Sequence, residues 1–219
     1  GAGTVIWSCP PFFVQSRPMQ LLTELESINA MLSMIGASPV SALSGATSAD
    51  VAISQAIHSE VSRDVQAGGW HFNREYEVEL APNADKYIYL APNVLQVDVE
   101  PGQASNTNPV DVVQRGVRLY DRRNHTYEFD STLKATVVYG LAWDELPQPA
   151  RQYITMRSGR LLADRMIGAG DIHSFGMIQE QQALVALRNF DAESADNSVF
   201  DHIDVFRIVN RMGFPNSIL

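Results

Sequence analysis

The spacing of apolar residues changes along the chain, and each change marks a change of element. Leu25, Ile28, Leu32 and Ile35 recur every three or four residues, which predicts a helix over 23–36 with one apolar stripe. Thr23 and Glu26 stand at capping-box spacing, where each side chain satisfies an orphan backbone donor of the first turn. Gly36 stops the helix and Pro39 prevents its resumption. A second helix is predicted over about 48–67, with Ile53, Ile57, Val61 and Val65 on its stripe and His58, Glu60, Arg63 and Asp64 mostly off it. The two form a helical hairpin.

Gly68 and Gly69 end the second helix, and from Trp70 the period falls to two. Trp70, Phe72, Tyr76, Val78 and Leu80 point one way; His71, Asn73, Glu75, Glu77 and Glu79 point the other, with Arg74 the exception on the apolar side. The three glutamates therefore read as a solvated strand face, although they sit near a histidine. Further strands are predicted at 86–90, 93–99 and 133–141. Residues 102–109 read as a polar loop, and 115–129 as a hairpin turning at Asp121 to His125. Five to seven mainly antiparallel strands make a β module over 70–142.

Helix returns after Pro147, with Pro149 suited to a first helical position. Neither the arginines nor the apolar residues of 150–168 share one face, which predicts a helix contacted from several sides. A last long helix is expected over 174–195. The tail that follows concentrates Phe200, Ile203, Val205, Phe206, Ile208 and Val209 in ten positions. The order α–β–α predicts an α+β fold: a helical bundle from 19–69 and 143–197, the β module 70–142 inserted between its halves, and a C-terminal tail 198–219. Residues 1–18 carry Pro10, Pro11 and Pro18, no acid and one arginine. They read as a non-native leader or a loose arm, with Met19 the natural start; an arm packed on a neighbouring subunit is the competing reading.

Composition narrows the function classes. The 219 residues are 45 % apolar and 19 % charged, an ordinary globular balance, and no run of eighteen apolar residues occurs. A net charge of -9 argues against affinity for nucleic acid phosphates or anionic lipid over most of the surface. One cysteine, Cys9, allows no intrachain disulfide and no cysteine zinc cluster. Phosphate-binding, dinucleotide-binding and metalloprotease patterns and the nucleophile elbow are all missing. The five histidines, His58, His71, His125, His173 and His202, are scattered, and no two have metal-ligand spacing on one helix face. Acid pairs such as Asp144 with Glu145, or the row Glu75, Glu77 and Glu79, carry the one chemistry without a sequence signature, glycoside hydrolysis; a solvated turn and a solvated strand face are the plainer reading. Arg151, Arg157, Arg160 and Arg165 invite a DNA reading, but they form no stripe, and pairing with the acids of 171–204 accounts for them.

Five segments in one order carry a resemblance. LLTELESINAMLSMIGASPVSAL, VQAGGWHFN, YLAPNVLQVD, GVRLYDRRNHTYEF and ELPQPARQYITMRSGRLLADR together resemble the tail tubular protein A family of short-tailed bacteriophages related to T7, from about Met19 to Asn197. The resemblance implies a structural, non-enzymatic virion protein located in the tail. It implies a twelve-fold homo-oligomeric ring that joins the portal protein to the nozzle, built from tail tubular protein B. The genome would pass through the ring's channel at ejection without specific binding. No cofactor, metal or membrane contact is implied. An additional glycan hydrolase activity is the alternative. Arg151, Arg157, Arg160 and Arg165, with Phe200, Ile203, Phe206 and Ile208 of the tail, are the expected interface residues.

Overall fold

The Thr23 hydroxyl accepts from the backbone N–H of Glu26 at 3.2 Å, and the Glu26 carboxylate accepts from that of Thr23 at 2.9 Å. This capping box opens α1 (Glu24–Met34) in a computed structural model that describes residues 20–45, 48–99, 110–168 and 170–194. At the other end Gly36 takes φ +73°, and the N–H groups of Gly36 and Ala37 return to the carbonyls of Ser33 and Leu32, a Schellman stop. The leader, the 102–109 loop and the tail expected at 198–219 lie outside the described residues.

The second helix, α2 (Ala49–Gln66), buries Val51, Ile57, Val61 and Val65, but also Ser54 and His58. Ile53, expected on the stripe, is exposed, and His58, expected off it, is buried. A strict every-fourth-residue series drifts by ~40° per step on a helix of 3.6 residues per turn. Over the three steps from Val65 back to Ile53 the drift carries the isoleucine off the buried face.

The strand expected from Trp70 begins later. Trp70 and Phe72 pack on the bundle core, a single 3₁₀ turn covers His71–Asn73, and β1 runs Arg74–Leu80. Its alternation is broken. The register against its partner shifts between Glu75 and Val78, Glu77 sits at φ +53°, and Tyr76 is consequently exposed rather than buried. Asn73, expected on the solvated side, is buried. Then come β2 (Val94–Val99), β3 (Val112–Arg115), β4 (Arg118–Asp121) and β5 (Leu133–Tyr139). The segment 86–90 is no strand: only Tyr87 and Tyr89 form isolated bridges, to Glu128 and Arg118, while Ile88 and Leu90 are buried. The hairpin turn also falls elsewhere. β3 and β4 join through Gly116 and Val117, with Gly116 at φ +64° in the first central position. Asp121 to Thr126 is a second reversal, closed by two backbone hydrogen bonds.

β5 is the central strand of an antiparallel sheet ordered β1-β5-β2, and β3 with β4 forms a second sheet. Ile88, Leu119, Phe129, Ala135 and Val137 make one apolar core there. A separate core lies in the bundle, around Ile28, Leu32, Val61, Ile154, Leu162 and Leu187. Its axis is α3 (Gln148–Met166), which packs against α1, α2 and α4 (Gly170–Ser194). Small residues allow the close approach: a Cβ on Gly159 would lie 2.2 Å from the Met34 sulfur. Pro149 occupies the second rather than the first position of α3, where its missing N–H is equally harmless.

Candidate functional site

Each of the four expected interface arginines of α3 has partners within its own chain. Arg151 is buried, and its guanidinium donates to the carbonyls of Leu146, Leu22 and Asp144, each at 2.8 Å. The Trp143 indole N–H donates to the same Leu22 carbonyl at 3.0 Å. This fork ties the entry to α1, the 142–147 connector and α3 into one joint. Arg157 reaches Asp64 of α2 at 2.5 Å. Arg165 grips both carboxylate oxygens of Glu60 at 3.0 and 3.1 Å, and this pairing lowers the pKa of Glu60. Arg160 bonds Glu180 of α4 and, at 2.9 Å, Asp164. Gly176 makes room for it, since a Cβ there would lie 3.1 Å from the Arg160 side chain. Among the described residues, pairing with the acids of 171–204 occurs once among the four, at Glu180; two arginines pair with α2 and one with carbonyls. Phe200, Ile203, Phe206 and Ile208 lie outside the described residues.

The junction between the two cores depends on two amides that the sequence pattern did not single out. Gln66 accepts from the Leu141 N–H at 2.6 Å and donates to its carbonyl at 3.2 Å. Asn73 donates to the carbonyls of Gln66 and Tyr139 at 2.9 and 2.7 Å and accepts from the Trp70 N–H at 2.9 Å. Both chain crossings between bundle and sheet are therefore held by side-chain amides bonded to backbone groups of the crossing segments. A groove of about 370 Å³ opens beside them, lined among others by Glu24, Arg63, Asn93 and Trp143. His58 lines it too. Its ring lies 4.6 Å from that of Trp143, its Nε2 has no hydrogen-bond partner, and burial lowers its pKa to about 4.

Of the acids weighed for catalysis, the carboxylates of Glu145 and Glu77 have partners within the chain. Glu145 accepts from the Ala142 N–H at 2.9 Å, the Asp144 carbonyl receives Arg151, and Glu77 is ion-paired to Lys134 at 3.5 Å. Glu75 and Glu79 are exposed on β1. Among the described residues no three His, Cys, Asp or Glu side chains group to hold a metal, and no helix is long and apolar enough to cross a membrane.

The outer surface of α4 is different in kind. Phe175, Ile178 and Val185 are 72 %, 54 % and 55 % exposed on the side turned from α3, while Ala183 and Leu187 are buried on the other. Glu180 is the sole charged residue from Phe175 to Leu187, and it is paired inward with Arg160. Beside this stripe a groove of about 480 Å³ runs between α3 and α4, lined by Gln152, Met156, Gln179 and Gln182 among others. The sequence signal for the stripe was present: apolar residues of α4 occur on more than one face.

The arginines of α3 hold elements together, and α4 carries an apolar stripe outward. The family model for the tail tubular protein matches residues 25–197, and the chain belongs to the tail tubular protein family, whose members are structural components of the phage virion tail. Among curated proteins, none matches the chain.

Proposed function

We propose that this chain is a subunit of the A type, the head-to-tail adaptor of a T7-like short-tailed phage, and that it acts without catalysis. Twelve copies close a ring between the portal and the tail nozzle, and the genome leaves through its channel. The observation that carries this reading is the family match over 25–197, which spans both halves of the bundle and everything between them. Two further features support it. A chain of net charge -9 suits a conduit, because fixed positive charge would hold DNA by counterion release. Subunits of a ring meet through two different surfaces, and the apolar face of α4 offers one of them.

In this reading the bundle 19–69 with 143–197 and the β module 70–142 are separable bodies. The α3 arginines fix the bundle's shape, with Arg165, half-exposed, at its rim. Phe200, Ile203, Phe206 and Ile208 of the tail 198–219 dock outside their own subunit. Native mass measurement of the full chain, alone and with its portal protein, tests the reading. A closed ring of twelve is expected; a chain that stays monomeric in the presence of portal overturns it. Truncation after Asp196 is expected to keep the melting temperature and lose ring closure. A truncated chain that melts several degrees lower yet still assembles would assign the tail to its own subunit's core.

A further inference from the structure

We infer that the arginine–tyrosine surface of the β3–β4 hairpin receives the acidic edge strand β1 of a neighbouring copy, so that β modules join head to tail around the ring. The inference rests on the ring reading and specifies a contact within it. Arg115 and Arg118 stand directly opposite each other in the hairpin register. Like charges so placed repel. Neither has an ion-pair partner among the described residues; Arg115 lies over the Tyr120 ring and Arg118 over that of Tyr127. A ring attracts a cation without neutralising it, so the hairpin keeps both positive charges. The acid between them and Arg122, Asp121, is buried and accepts from the backbone N–H groups of Arg123 and Asn124. Tyr89, bridged to Arg118, is 55 % exposed. Arginine and tyrosine are the residues that anchor protein interfaces. Stacked bases would need open rings, whereas Tyr120 and Tyr127 are engaged by guanidinium groups and by each other, which favours carboxylates.

Strand β1 carries the complementary chemistry. It is an edge strand, hydrogen-bonded to β5 on one side only. Glu75, Tyr76 and Glu79 are exposed on it, Tyr76 by 62 %. Glu77 is taken by Lys134, but neither Glu75 nor Glu79 has an ion-pair partner among the described residues. An open edge invites pairing with another edge. Carboxylates along it repel a second β1, which selects against a symmetric pair, and admit a cationic surface. Within one chain β1 and the hairpin arginines form no ion pair. Strands β5 and β2 stand between β1 and β3 in the order across the module, and Gln114 of β3 donates to the Val94 carbonyl of β2 at 3.3 Å. The acidic strand and the cationic hairpin are therefore two different surfaces of one module. A head-to-tail contact that closes a ring uses two such surfaces.

The test exchanges charge in the full chain. One variant carries Arg115→Glu with Arg118→Glu, a second Glu75→Lys with Glu79→Lys, and a third all four changes. Ring closure is read by native mass with portal protein present. Each two-site variant sets like charges against each other in the contact and should weaken closure by roughly tenfold or more. The four-site variant reverses both surfaces and should close rings as the parent does. An equal mixture of the two-site variants should also close rings, with the two chains alternating, since one presents only acidic and the other only basic surfaces. If either two-site variant closes rings as well as the parent, the inference is overturned, whether or not that variant loses binding to DNA or the nozzle. If both fail and neither the four-site chain nor the mixture recovers, the hairpin faces something other than β1, and the inference fails while the ring reading stands. If the parent itself forms no ring, the ring reading fails and the inference with it. Glu75, Glu79 and Arg115 are exposed, so their changes should shift the melting temperature by only about 2 °C. Should Arg118→Glu lower it further, Arg115→Glu alone replaces the arginine pair in each arm, with the same outcomes deciding.

Discussion

The bundle and the β module use arginine in two different ways. In the bundle, guanidinium groups of α3 are forked onto carbonyls or carboxylates: Arg151 onto three carbonyls, Arg160 onto Glu180 of α4 and Asp164 of its own helix, Arg165 onto Glu60 of α2. In the β module Arg115 and Arg118 lie over rings, while Arg122 faces Asp111 at 3.9 Å. Arg115 sits 3.6 Å above Tyr120, and Arg118 lies 4.9 Å from Tyr127 and 5.7 Å from Tyr87, while Tyr120 and Tyr127 meet edge to face. Forked bonds constrain distance and angle at once, so the bundle arginines set how helices sit against each other. A cation over a ring tolerates sliding and contributes less, ~0.5–1 kcal/mol at exposed sites. The difference teaches that one residue type marks rigid framing in one region and adaptable surface in the other.

The largest expected effect is at the joint. Arg151→Ala removes the guanidinium from the carbonyls of Leu146 and Asp144 and leaves that of Leu22 with the Trp143 indole alone, and should cost roughly 3–5 kcal/mol. A thermal melt of the full chain should fall by about 10 °C. A fall below 3 °C would show that the fork is not what frames the bundle. Next is pH. His58 is neutral in the folded chain with its pKa lowered to about 4, against 6.5 for an ordinary histidine. The unfolded chain therefore takes up the proton first as pH falls. This contribution is fully present above pH 6.5 and is lost progressively down to about 4, amounting to about 3 kcal/mol. Chemical denaturation at a series of pH values should show the loss, and His58→Leu should flatten that part of the curve.

Glu180→Gln removes the charged partner of Arg160 and should lower stability by roughly 1–2 kcal/mol, read as a lower urea midpoint at unchanged slope. Arg118→Ala removes stacking over two tyrosines and should cost only about 0.5–1.5 kcal/mol. If Arg118→Ala proves as damaging as Arg151→Ala, the contrast between framing and surface arginines breaks. Smallest of all, amide replacement of Glu75, Glu77, Asp144 and Glu145 together should leave assembly intact. Saccharide hydrolysis by the parent chain, lost in that variant, would contradict a non-enzymatic role.

Much of the fold was readable because local signals there agreed with the tertiary outcome. The Thr23–Glu26 capping box, the Gly36 stop, the many-sided α3 and the central apolar run of β5 all depend on near neighbours in sequence. The misread places share a cause. Tyr76 is exposed because an extra residue at Glu77 reverses the alternation, and a bulge is set by the partner strand. The hairpin turn moved to Gly116 because β3 and β4 pair there, although the turn chemistry of Asp121 to His125 is genuine.

What residue order alone determined was the kind and succession of elements, since periodicity, capping and turn chemistry act over a few residues. What only the tertiary structure decided was the use of each polar group. Gln66, Asn73, His58 and the α3 arginines look like ordinary polar residues in the sequence. Among their partners, Tyr139, Leu141, Glu60 and Leu22 come from 66 to 129 positions away. For the buried Gln66, Asn73 and Arg151, desolvation makes the pairing obligatory, because a buried polar group without a partner costs more than the pairing contributes. No local pattern encodes which distant group will arrive.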